Sequence, residues 1–267
     1  FGNLGWELIK RVAHPQFRGP IMPKHNSKGK VSAHSAEVLA NGCCLDKLDQ
    51  DLKIGEPVQS HGAAQIGPLQ IVCDGSMAGQ VWCAGTALAR HLMTNCKLND
   101  RPDVVEIGSG TGIAGLAAAL SGASSVMLTD RPECVAKLQD AINRNVDVLG
   151  GADVQAAALP WGDTASANAC APFGCDLVLA ADVLYSSDLD DQVRLCQTMI
   201  TLARTRDARI LHCYEERWEH VHGPWRDCQR KCGLAVVDEM QLHNPASLQR
   251  RLVLEKLCLT PEALFME

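Results

Sequence analysis

Residues 104–120 read VVEIGSGTGIAGLAAAL. Val104–Ile107 is apolar except for Glu106 and reads as a short buried strand. Glycines follow at 108, 110 and 112. An alanine- and leucine-rich stretch then runs to Leu120, with the composition of a helix. A strand, a glycine turn and a helix in that order receive a nucleotide-like ligand at the carboxyl end of the strand.

The glycine spacing narrows the ligand. A dinucleotide fingerprint, G-x-G-x-x-G, starting at Gly108 needs a third glycine at 113, and Ile113 stands there. The chain instead reads Glu106-x-Gly108-x-Gly110-x-Gly112. Glycine at alternate positions after an acid resembles the first motif of S-adenosylmethionine-dependent methyltransferases. The turn must leave room for the methionine part and ribose, and glycine tolerates positive φ. Glu106 offers a charge-assisted contact near the amino end of such a ligand, direct or through water. Asp130 closes the next apolar run, SVMLTD, 22 residues after Gly108. A carboxylate there suits ribose hydroxyls. It also suits the N-cap of a helix starting near Glu133. The position favours ribose, a contact shared by many nucleotide folds.

The same punctuation repeats outward. A strand or hairpin is expected in IGPLQIVCDG, and helices over Ala84–Leu92, Gly112–Leu120, Glu133–Val146, Asp190–Arg204 and Pro224–Cys232. Strands are expected at Val104–Ile107, Ser125–Leu128, Val154–Ala158, Asp176–Ala180, Arg209–Cys213, Leu234–Val237 and Arg251–Leu257. Alternation of this kind predicts an α/β fold, a doubly wound and mostly parallel seven-stranded sheet. The last two strands have no helix between them, which predicts a reversed C-terminal strand at one edge. Residues 1–64, with HPQFRGPIMPKHNSKGK among them, read as a partly irregular N-terminal extension, and residues 65–267 as the ligand-binding domain.

Bulk properties exclude several classes. The formal net charge is −6, which argues against a protein built to grip phosphate backbones. No apolar run reaches the roughly 18–20 residues that span a bilayer. No signal-peptide pattern opens the chain, although Phe1 rather than Met leaves a fragment or processed form open. The 13 cysteines are odd in number and scattered through the expected elements, so reduced and mostly buried thiols are expected. A cytoplasmic setting, with the nucleus as a second compartment, and a monomeric state are the corresponding expectations.

Four stretches carry a closer resemblance: GQVWCAGTALARHL (79–92), VVEIGSGTGIAGLAAAL (104–120), ALPWGD (158–163) and DLVLAADVLY (176–185). In order and spacing they resemble the seven-β-strand protein-lysine methyltransferases of methyltransferase family sixteen. The resemblance spans roughly residues 65–257. It implies S-adenosylmethionine as cofactor and a lysine side chain of a protein as substrate. It implies that Trp82 lies beside the cofactor, Gly108 and Gly110 shape its pocket with Glu106 nearby, and Asp130 binds ribose with Arg131 adjacent. Trp161 would pack by the adenine and Ala181 would close over the cofactor. Asp182 and Tyr185 would face the substrate channel. Cys83 departs from the residue many members carry after the tryptophan.

Methyl transfer from a sulfonium is an in-line displacement, so the enzyme chiefly supplies proximity and orientation, worth about 7–11 kcal/mol. Asp182 at a strand tip suits orientation of an amine better than strong base catalysis, given an ordinary carboxylate pKa of about 3.9. Tyr185 suits an aromatic channel wall that attracts a cation. Glu215, Glu216 and Trp218 follow an expected strand and either line the substrate side or form a solvated loop. Cys213, His220, His222, Cys228 and Cys232 lie close in sequence but lack Cys-x2-Cys pairing, so no metal site is expected. Two alternatives stay open: methylation of protein histidine or a small amine on the same fold, and a non-catalytic module that retains the cofactor fold.

Overall fold

The computed structural model describes residues 61–96, 98–204, 207–244, 250–261 and 263. The N-terminal extension up to residue 60, where the sequence suggests short helical patches at Trp6–Val12 and Ser35–Leu48, lies outside the described residues.

Two antiparallel strands, β1 (His61–Ile66) and β2 (Leu69–Asp74), form a separate hairpin, closed where Ile66 pairs with Leu69 around Gly67 and Pro68. Residues 61–64, assigned on sequence to the extension, are strand residues paired with 71–74. The remaining strands are β3 (Asp103–Ile107), β4 (Ser125–Asp130), β5 (Asp153–Ala158), β6 (Leu177–Ala181), β7 (Arg209–Glu215), β8 (Leu234–Leu242) and β9 (Leu252–Leu259). They form one seven-stranded sheet in the order β5-β4-β3-β6-β7-β9-β8. Strands β3 to β7 pair in parallel and β9 runs antiparallel to both neighbours. The doubly wound α/β fold with a reversed C-terminal strand is therefore the observed one.

The reversed strand is not at the edge, however. β9 lies between β7 and β8. Burial explains the placement. Leu252, Val253, Leu254 and Leu257 are buried on both faces of β9, as an interior strand requires. β8 exposes Val236 and Val237 and carries the acids Asp238 and Glu239, which suits an edge.

Helices α1 (Cys83–Asn95), α2 (Ile113–Leu120) and α3 (Val135–Asn145) pack with the hairpin on one face of the sheet. α4 (Thr164–Cys170), α5 (Leu189–Leu202) and α6 (Glu219–Cys232) cover the other. α1 and α2 are rich in alanine and glycine, so their backbones approach closely beside β3. The expected helix at 133–146 is shorter, because a 3-10 turn over Pro132–Cys134 precedes it. Val146 continues the apolar spacing but is exposed. Asn145 takes the buried place and exchanges hydrogen bonds with the main chain of Gln70 at 2.8 and 3.0 Å, tying α3 to the hairpin.

Two other differences have local causes. α4 carries one buried residue, Ala167, and so shows no periodicity. Its start is set by Asp163, whose carboxylate accepts from the N–H groups of Ala165 and Ser166. α6 begins at Glu219, a turn and a half before Pro224, where the sequence reading started it. Pro224 gives up one main-chain hydrogen bond. The burial of Val221 and His222 in that first stretch compensates. Among the described residues no helix is long and apolar enough to cross a membrane.

Candidate active site

Strand order reverses between β3 and β6, so the crevice beyond the carboxyl ends of these strands is where ligands enter folds of this kind. A cavity of about 420 Å³ opens there. That volume lies within the about 300–1,000 Å³ of small-molecule sites.

One wall is the glycine turn. Gly108 and Gly110 adopt φ of 60° and 55°, the left-handed region that penalises other residues. A Cβ on Gly108 would come within 2.8 Å of Val183 Cγ1, and one on Gly110 within 3.0 Å of the Ala78 carbonyl oxygen. The glycines are thus required by the protein's own packing as well as by room for a ligand. Ser109 stitches the turn to β4: its N–H donates to the Thr129 carbonyl, and the Thr129 N–H donates to its hydroxyl, both at 2.9 Å.

Two carboxylates flank the turn. Glu106 is 2% exposed, and its Oε2 accepts from the Gly115 N–H at 3.0 Å. Burial pushes its carboxyl up to about 8, against the lowering effect of the first-turn N–H groups of α2. Asp130 Oδ2 accepts from the Gly110 N–H at 2.8 Å and Oδ1 from the Arg131 N–H at 2.7 Å. The N-cap alternative for Asp130 does not hold. Arg131 caps the 3-10 turn, Cys134 precedes α3, and neither end uses the Asp130 carboxylate. Asp130 braces the glycine turn instead, and a carboxylate with about four lone-pair sites keeps capacity for a ligand.

The opposite wall is built at the ends of β6 and β7. The Asp182 N–H donates to the Cys213 carbonyl at 2.8 Å, so pairing of the two strands runs one residue past β6. Asp182 then takes φ of 57°, which costs a non-glycine residue about 1–3 kcal/mol. This turn aims its carboxylate at Arg217. Arg217 Nη2 donates to Asp182 Oδ2 at 2.5 Å and Nε to Glu215 Oε2 at 2.6 Å. The Arg217 main-chain N–H donates to His222 Nε2 at 3.1 Å, and its guanidinium lies 5.2 Å from the ring centre of Trp82. Asn244 Nδ2 donates to Glu215 Oε1 at 2.9 Å. All three ionic side chains are buried.

Burial raises the Asp182 carboxyl above its usual range and Arg217 offsets only part of this. Burial also opposes the charge on Arg217, but the Asp182 and Glu215 carboxylates outweigh it and hold the guanidinium above its usual range. His222 is depressed to about 4 by burial, then by His212 and Arg217, so it is neutral and can accept from Arg217.

The residues that the resemblance placed at the cofactor and substrate all line this cavity: Trp82, Glu106, Gly108, Gly110, Asp130, Arg131, Trp161, Ala181, Asp182 and Tyr185. Trp82 anchors its indole by donating to the Met77 carbonyl at 3.0 Å. Trp161 and Tyr185 stand with ring centres 5.7 Å apart, tilted by 40°. Arg131 is mostly exposed and pairs with Glu133 at 3.2 Å. Of the residues after β7, Trp218 lines the cavity and Glu215 is buried behind it. Glu216 points outward to Arg251 at 3.3 Å. Sequence reasoning missed Arg217, although it lies between two residues that were weighed. Its position just past a strand's carboxyl end was the available signal. Asp191 and Arg194 of α5, also at the cavity, had none.

The residues fit a nucleoside-bearing ligand: a Cβ-free cradle, carboxylates at two points and indole faces at two more.

The chain is similar to known proteins. A Mus musculus protein named EEF1A lysine methyltransferase 3 is 37% identical over 109 residues, 41% of this chain and 44% of that protein. The Danio rerio protein N-lysine methyltransferase METTL21A is 32% identical over 138 residues, 51% of this chain and 61% of that protein. The chain thus spans about half the length of the curated relatives it matches. Among solved structures, SMU.776 complexed with SAH superposes with a TM-score of 0.54 at 13% identity, over 76% of this chain and 57% of that one, which shows the shared fold. The family model described as lysine methyltransferase matches residues 68–223, from β2 to the first turn of α6 and so across both cavity walls. On that match over more than half its length, the chain belongs to the lysine methyltransferase family.

Proposed function

We propose that this protein transfers a methyl group from S-adenosylmethionine to a lysine side chain of a protein substrate. One observation carries the reading. Asp182 and Tyr185 stand at the same cavity whose far wall holds Glu106, Gly110 and Asp130, so one space serves a nucleoside and an incoming amine. The names of the relatives, lysine methyltransferases, support it, as does the SAH held by the fold neighbour.

S-adenosylmethionine supplies an electrophilic methyl group on a sulfonium. This chain supplies the rest. The turn at Gly108 and Gly110, with Trp82 and Trp161, would hold the cofactor. Asp130 would accept from ribose hydroxyls while bracing the turn. Glu106 would meet the amino end. Ala181, at the tip of β6, would close over it. Asp182 Oδ2 is taken by Arg217, which leaves Oδ1 to hydrogen-bond and align a lysine amine. Its raised pKa makes it a better proton acceptor than an ordinary aspartate. Tyr185, half exposed beside Trp161, forms an aromatic wall for a cationic chain. Fixing the amine in line supplies most of the acceleration such a displacement needs.

The reading extends to a reducing setting, cytoplasmic and also nuclear, and to a monomer acting on protein rather than nucleic acid. The free thiols support the reducing setting, and the acidic net charge supports protein over nucleic acid as substrate.

The test incubates purified protein with methyl-labelled S-adenosylmethionine and a cell extract, with Asp182→Asn alongside, and identifies the labelled amino acid after hydrolysis. Methyl-lysine, lost in the variant, is expected. Label in methyl-histidine or only in small molecules overturns the substrate class.

A further inference from the structure

Away from the cavity, three thiols meet in the seam between α5 and α6. Cys228 and Cys232 are four residues apart on α6 and so share one helix face. Cys196 faces them from α5. The three sulfur atoms lie within 4.8 Å of one another, and Cys196 Sγ and Cys228 Sγ are 3.9 Å apart. Cys196 and Cys228 are buried among apolar side chains, while Cys232 is partly open to solvent. None of the three lines the cavity. The grouping differs from the one weighed on sequence, from which no metal site was expected. Cys228 and Cys232 are joined by Cys196, 32 residues before Cys228, and not by His220 or His222.

We infer that Cys196, Cys228 and Cys232 form a binding site for a thiophilic d10 cation, Cu+ or Zn2+, held by three sulfurs. The spacing fits. Thiolates on one ion at about 2.3 Å sit roughly 3.8 Å from each other, close to the Cys196–Cys228 separation. Sulfur donors select soft cations over Mg2+ or Ca2+. Among the described residues no fourth His, Cys, Asp or Glu joins the group. Three sulfurs complete the shell of Cu+, and Zn2+ would keep one position for solvent or an exogenous thiol. As each metal–sulfur bond forms, the thiol proton passes to solvent through the opening at Cys232. Burial holds the Cys196 and Cys228 thiols above their usual range. The ion would pin the two helices together, and the inference does not depend on the proposed methyl transfer.

The test uses the full chain, reduced and then freed of reductant without oxygen. It is titrated with Co2+ as a spectroscopic substitute for Zn2+, and separately with Cu+ against a chromophoric chelator. The readout is the thiolate-to-metal charge-transfer band and its stoichiometry. One equivalent is expected, with Cys232, the partly open thiol of the three, protected from alkylation. Cys196→Ser, Cys228→Ser and Cys232→Ser should each weaken binding by more than the roughly tenfold that even an outer-shell change costs. Cys170→Ser, a half-buried thiol outside the group, should change nothing, and circular dichroism checks that each variant is folded. Absence of a band with either ion overturns the inference. So does uptake that survives loss of all three thiols. A Cys196–Cys228 disulfide in protein isolated without reductant, with no metal uptake after reduction, also overturns it.

Discussion

The two walls of the cavity are made differently. At β3 and β4 the wall is main chain. Gly110, in the left-handed conformation, donates its N–H to Asp130, and Gly115 in the first turn of α2 donates to Glu106. At β6 and β7 the wall is side chains, a buried run of Glu215, Arg217 and Asp182 with two acids sharing one cation. A main-chain wall depends on which residues can adopt a backbone shape. An ionic wall depends on charge balance in a low dielectric. The two should therefore fail in different ways.

The largest effect is expected on the ionic side. Arg217→Leu leaves two buried carboxylates without their partner and should lower stability by about 3–5 kcal/mol. Denaturant unfolding measures it. Arg217→Lys keeps the charge but loses the fork that reaches both acids, and should recover only part. A wild-type midpoint in Arg217→Leu would show that the ionic wall carries no charge debt. On the main-chain side, Gly108→Val places a branched side chain at positive φ against Val183. S-adenosylmethionine affinity should drop about a hundredfold, near 3 kcal/mol, by calorimetry. Unchanged affinity would mean that the cradle adapts.

Asp182→Asn separates binding from turnover. The cavity keeps its shape, so cofactor affinity should hold. Methyl transfer should slow about a hundredfold, the cost of about 1 Å of misplacement. Equal losses in both would make Asp182 part of the cofactor wall. The last effect belongs to Glu106 and is read as a slope against pH. Its folded pKa of about 8 lies above the ordinary 4.5, so between those values the folded state holds the extra proton. Its contribution to stability is full below about 4.5 and lost as pH rises through about 8. Glu106→Gln should match the wild type below about 4.5 and keep that stability as pH rises, so its thermal midpoint should fall less than that of the wild type between about 4.5 and 8. A variant that keeps the wild-type slope would assign the decline to other groups.

This contrast also explains what could be read from sequence. The main-chain wall was legible because it is local: acid, alternating glycines and a second acid 22 residues on lie on a strand–turn–helix–strand run. Asp182 and Tyr185 were legible through a motif at a strand end. Arg217 was not, because its role rests on a partner 35 residues away and on two strands ending side by side. α4 was missed for want of periodicity, and the start of α6 because a proline stands inside it. The edge position given to the reversed strand was wrong for a similar reason. Chain order shows that β8 and β9 form a hairpin, but only their burial shows which of the two is inside.

The interior position of β9 has a consequence for how the molecule is assembled. A ribosome that has delivered residues up to about 217 has made both cavity walls, but β7 then has one bare flank. Glu215 pairs with Leu252, and Tyr214 and His212 bond to Glu255, all on the last-made strand of this sheet, which must thread between two earlier ones. The main-chain wall can settle as soon as β3, β4 and their helices exist. The ionic wall waits for the final strand, so the half of the cavity proposed to handle the lysine is the last to become competent during synthesis.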